Sequence, residues 1–99
     1  MAVELTRRGL GNIYCLAGIA AHISGMVESA RAAKRLLVID GCSVACALKT
    51  VEHAGLEATD YLDVTREGVE KNHDFNLDPT VVEAVVARAR ALLELPVRL

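Results

Sequence analysis

The chain is poor in aromatic residues: Tyr14, Tyr61 and Phe75 are all it has, 3% of 99 positions. Its core therefore has to come from Val, Leu, Ile and Ala, and with 53% hydrophobic residues the supply is ample. The three aromatics are scattered, so they cannot form the strand-borne stacking platform that reads single-stranded RNA. An excess of basic charge is also lacking. Eleven Lys and Arg against 13 Asp and Glu leave a net charge of -2, without the basic stripe that neutralises phosphates, so no nucleic-acid partner is expected. The sequence has no G-x-G-x-x-G, no Walker loop, no G-x-S-x-G and no H-E-x-x-H, which removes the common phosphate, nucleophile-elbow and zincin motifs. Gly9-Leu10-Gly11 alone is too little for a phosphate loop.

A clean membrane segment is absent as well. Residues 9–27 carry no Lys, Arg, Asp or Glu and follow Arg7-Arg8, as a signal anchor would. They nevertheless include four glycines, Asn12, His22 and Ser24, with Glu4 in the would-be positive flank. Their apolar residues also split into a strand-like run and a helical stripe, so no membrane span is expected. Three cysteines are too few, and odd in number, for a secreted disulfide framework. In a reducing, cytoplasmic setting they read as metal ligands, reactive thiols or small core residues.

Ninety-nine residues suit one domain, 1–99, able to bury roughly two-thirds of its unfolded surface. Periodicity and punctuation divide it into alternating elements. A helix over Ala2–Arg8 stops at Gly9, and Asn12–Leu16 reads as a short strand. Ile19–Ala33 reads as one amphipathic helix, with Ile19, Ile23, Met26, Val27 and Ala30 on its stripe. Arg35–Asp40 is a non-alternating apolar run and suits a strand covered on both faces. A helix over Ser43–His53 stops at Gly55, and a third strand falls within Ala58–Thr65. After a polar loop, Asp78-Pro79 signals a helix start, and Val82, Val85, Val86, Ala89, Leu92 and Leu93 form its core face up to Pro96. This order predicts an α/β fold: a small three-layer domain with a short, mostly parallel three-stranded sheet flanked by helices. An exposed edge of so small a sheet is a natural surface for homodimer pairing.

Ligands gather at the carboxyl ends of parallel strands. Cys15 is expected to end the first strand and Cys42 to lie just past the second. Cys46 follows Cys42 at i+4, on one face if the helix starts at Ser43. A thiol at a helix N-terminus is favoured as thiolate, and thiolates are what zinc takes. Cys15, Cys42 and Cys46 are therefore the candidate ligands, and the fourth position is left to His22, His73, water or another molecule. His22, inside an apolar stripe, also reads as a boundary residue. His53 lies too far along its helix from Cys46 to share a site with it through that helix, so it reads as a helix C-terminal charge. Asp40 either caps the helix that follows it or orients a ligand. A redox or nucleophilic Cys42, with Cys46 as resolving thiol, is the enzymatic alternative.

Tyr14-Cys15-Leu16-Ala17-Gly18-Ile19, Val38-Ile39-Asp40-Gly41-Cys42 and Ala45-Cys46 together resemble the DGC-domain family, named for its Asp-Gly-Cys motif. The likeness runs from Val3 to about Phe75. It implies zinc binding by four cysteines, three of them matching Cys15, Cys42 and Cys46, in a family whose function is otherwise unknown. In that family the first cysteine follows a strand upstream of the helix that opens this chain, so that strand and thiol are expected to be missing here.

Overall fold

The computed structural model describes residues 1–70, 72, 74 and 76–95. Lys71, His73 and Phe75 lie outside the described residues, as do Pro96 and the positions after it. The elements run α1 (Ala2–Arg7), α2 (Leu16–Ala20), α3 (Ser24–Ala32), β1 (Leu37–Asp40), α4 (Cys46–His53), β2 (Asp60–Asp63), a 3-10 turn (Val64–Glu67) and α5 (Pro79–Glu94). The strands pair in parallel, with Leu37 opposite Asp60, Val38 opposite Tyr61, Ile39 opposite Leu62 and Asp40 opposite Asp63.

The alternation of the two strands builds a core on each face of the sheet. On one face, Val38 joins Ile19, Val27, Ala30, Val51 and Leu56, with Tyr61 packed against them, beneath α2, α3 and α4. On the other, Leu62 joins Leu5, Val85, Val86 and Ala89, with Leu37 and Ile39 beside them, beneath α1 and α5. Helices on both faces explain the continuous apolar run of β1. Val85 and Val86 are fully buried, each contributing about 1.5–3 kcal/mol of apolar transfer free energy. Arg8, just past α1, ties that helix to α5 through two hydrogen bonds to Glu83, 3.0 and 2.6 Å.

The mixed helix-and-strand architecture is as expected, but among the described residues the sheet has two strands, not three. Residues 11–15 are extended near Cys15 yet join no sheet, and Ile13 and Tyr14 are exposed. The Ile13 amide donates to Thr6 Oγ1 at 2.8 Å, which satisfies it without a strand neighbour.

The expected long helix over Ile19–Ala33 is also divided. Residue Ala21 caps α2, His22 takes a left-handed φ of 56°, and α3 starts at Ser24. The His22 amide donates to the Ile19 carbonyl and the Ile23 amide to the Gly18 carbonyl. That is the bonding of a Schellman C-terminus, which consumes the carbonyls a continuous helix would need. The same pattern closes α1 at Gly9 and α4 at Gly55, as expected from those glycines. The last helix begins as predicted: the Asp78 carboxylate accepts from the Thr80 amide at 2.9 Å, with Pro79 in the first turn.

Candidate functional site

The Asp-Gly-Cys corner is built around Asp40, the last residue of β1 and only 7% exposed. Strand alternation turns its side chain to the face carrying α4. There Oδ1 accepts from the Ala47 amide at 2.8 Å and Oδ2 from the Leu48 amide at 3.1 Å. Two amides at the helix start that have no partner within the helix are thereby satisfied, by a carboxylate from the preceding strand. The Tyr61 hydroxyl, from the neighbouring strand, donates to Oδ2 at 3.0 Å. Of the two roles open to Asp40, capping is the one its contacts fill.

This cap sets where α4 begins. Residues 41–45 make a turn closed by the Ala45 amide on the Cys42 carbonyl, and Ala45 takes a left-handed φ of 60°. The helix therefore starts at Cys46 and not at Ser43. Cys42 lies on the turn, half-buried, and does not occupy a helix N-terminus, so the i+4 helical relation between Cys42 and Cys46 does not form.

Cys15 has changed context as well. It ends no strand; it caps α2, its Sγ accepting from the Gly18 amide at 3.4 Å. Both Cys15 and Cys46 are exposed. Gly18 is buried against the Met26 side chain, which occupies the space a Cβ would need.

The histidines meet where α2 and α4 end. His22 Nε2 and His53 Nδ1 are 3.1 Å apart, with the rings edge-to-face and their centroids 5.1 Å apart. Because α2 packs on α4 and both carboxyl ends meet at this pair, the two helices run in the same sense. Cys15 stands seven residues before His22 and Cys46 seven before His53. The two cysteines thus lie toward the amino ends of the paired helices and the histidines at the carboxyl ends. His22 is accordingly engaged with His53, at the opposite end from Cys46. His73, the other histidine considered as a ligand, lies outside the described residues.

Residues 1–89 match the DGC domain family. The chain belongs to the DGC domain family. Within curated proteins, this DGC chain is similar to the Anaerobic and virulence modulator AnvM of Pseudomonas aeruginosa, 24% identical over 93 residues that cover 94% of the chain and 71% of that protein. No solved structure matches it. The thiols of this DGC domain are the donor type zinc takes. Among the described residues, however, no three His, Cys, Asp or Glu side chains are gathered as a preformed metal-holding group. Nor is any helix among them long and apolar enough to cross a membrane.

Tyr61 reports on the Asp40 cap. Burial, and then the hydrogen bond to the Asp40 carboxylate, push its hydroxyl up from 10.0 to about 12. A proton held more tightly in the folded state contributes stability that is complete below pH ~10 and disappears as pH rises through ~12. The Tyr61→Phe variant is expected to lose about 1 kcal/mol at neutral pH. It should also lose less stability than the parent between pH 10 and 12. Chemical denaturation across that range, with tyrosinate absorbance taken as the difference between the two proteins, checks both statements. Equal pH dependence of the two would remove the Tyr61–Asp40 coupling.

Proposed function

We propose that this DGC domain is a metal-binding thiol protein that takes zinc through Cys15, Cys42 and Cys46. The observation supporting this reading is the common placement of Cys15 and Cys46 toward the amino ends of two packed, like-directed helices. Cys42 lies on the turn that leads from β1 into the second of them. Thiolate is the form in which cysteine ligates zinc. The remaining coordination is assigned to water or to another group, with His22 set aside because of its contact with His53. The similar protein from P. aeruginosa is named a modulator; by extension, we assign the thiols here to regulation and not to turnover of a substrate.

Zinc content of chelator-free purified protein tests the reading. The parent is expected to retain close to one equivalent, and the Cys15→Ser/Cys42→Ser/Cys46→Ser variant almost none at equal folded fraction by circular dichroism. Equal substoichiometric zinc in both proteins would sink it. Because ligating thiols must lose their protons, zinc retention should also fall as pH is lowered.

A further inference from the structure

The histidine pair is not used by the cysteine site, and its construction is unusual. The Schellman ends of α1 and α4 place Gly9 and Gly55 at the left-handed position, whereas the one ending α2 places His22 there, at φ 56°. Left-handed backbone is unfavourable for most L-residues, although His is among those enriched there. At this position the imidazole meets that of His53, the last residue of α4 and 31 positions away in sequence. Both side chains are solvent-exposed, so no burial requirement explains the contact.

We propose that His22 and His53 form a two-imidazole binding site for a divalent transition-metal ion, separate from the cysteines. The spacing carries the argument. Two imidazole nitrogens each about 2.0–2.1 Å from one ion lie roughly 2.9 Å apart at a right angle and roughly 3.3 Å apart at a tetrahedral angle. His22 Nε2 and His53 Nδ1, at 3.1 Å, fall between those limits. Exposure admits the ion and leaves its other positions to water. Imidazole suits Zn, Cu and Ni, and here two such donors come from different elements, so an ion would cross-link the carboxyl ends of α2 and α4. Proton balance is simple. If both rings of the ion-free pair are neutral, one donates its N–H to the other. In the bound pair His22 carries its proton on Nδ1 and His53 on Nε2, and no proton is lost from two neutral rings.

The test uses the full chain and Ni2+ alone as probe, with residue-resolved NMR. Paramagnetic broadening at substoichiometric Ni2+ is expected to centre on residues 21–23 and 52–54, and the thermal midpoint should rise with Ni2+ concentration. His22→Asn keeps a residue that tolerates the left-handed backbone, and His53→Gln alters an exposed helix end. Each should weaken Ni2+ binding by roughly ten-fold or more, since loss of even an outer-shell partner of a ligand costs that much. Binding of equal strength in the parent and both variants would overturn the proposal. So would broadening centred on Cys15, Cys42 and Cys46 or on His73 with residues 22 and 53 untouched. Because the two locations give separate signals, failure here is distinguishable from failure of the thiol site.

Discussion

Replacing Arg35 with Ala is expected to lower the stability of the domain by about 2–4 kcal/mol, somewhat under the 3–5 kcal/mol typical of breaking a fully buried ion pair. All five guanidinium donors are engaged. Nε and Nη2 bind the two oxygens of Asp60 at 3.1 Å each, while the remaining donors reach the Leu92 carbonyl at 3.0 Å, Leu93 at 2.5 Å and Leu95 at 2.6 Å. One side chain thus joins the segment leading into β1, the first residue of β2 and the carboxyl end of α5, where a cation is favourable; of the carbonyls it reaches, Leu92 also accepts from the Leu95 amide at 3.2 Å. The Arg35 side chain is 21% exposed and that of Asp60 9%, so water cannot replace all of these bonds. The Arg35→Lys variant keeps the charge but not the fork that spans carboxylate and carbonyls together, and it should lose most of the same stability. At about 4–8 °C per kcal/mol for a domain of this size, the thermal midpoint of the Ala variant should fall by about 10–25 °C. A fall below about 5 °C in calorimetry would show that Arg35 does not hold the strand starts to α5.

Asp40→Ala is expected to cost about 2–3 kcal/mol: a lost helix cap plus a half-buried tyrosine hydroxyl left without its acceptor. The Ala47 and Leu48 amides and the Tyr61 hydroxyl all lose their partner in one substitution. Hydrogen exchange localises the effect. Protection should fall most in the first turn of α4, at Ala47 and Leu48, and much less in α5, which packs on the other face of the sheet. Asp40→Asn keeps one acceptor oxygen but sets an NH2 group against a donor, so it should fall between Ala and the parent. If both variants lose zinc while hydrogen exchange in α4 is unchanged, Asp40 acts on a ligand and the capping assignment is wrong.

Much of the fold was readable from local chemistry. Gly9 and Gly55 stop α1 and α4, and Asp78-Pro79 starts α5, because caps and left-handed stops are decided by the residues themselves. The unbroken apolar run Leu36-Leu37-Val38-Ile39 announced a strand covered on both faces, and β1 is that strand. Three elements differ from these expectations. Asn12–Leu16 has strand composition but no neighbour to pair with, and pairing is a long-range property. The stripe from Ile19 to Ala30 continues across His22, so periodicity alone could not reveal the Schellman break there. The expected start at Ser43 yielded to Cys46 because the effective cap is Asp40, outside the helix, and its reach depends on how the turn of residues 41–45 folds. The Arg35–Asp60 and Tyr61–Asp40 contacts join residues 21 or more positions apart in sequence, so they too depend on long-range packing. The one available signal was that Arg35 and Asp60, both charged, flank apolar strand segments.

The Asp-Gly-Cys corner shows where the division falls. By itself, the sequence determined the chemistry available to the domain: three thiols, a carboxylate closing an apolar strand, and the motif set by which the chain belongs to its family. Residue type and spacing suffice for that, because donor chemistry and strand burial are local properties. Only the tertiary structure decided the use of each group. It placed Asp40 on the α4 amides and Cys42 on a turn, and it set Cys15 and Cys46 at the starts of two packed helices. It also brought His22 to His53. Those outcomes depend on which helix packs on which and in what register, a balance of burial and backbone hydrogen bonding across the whole chain.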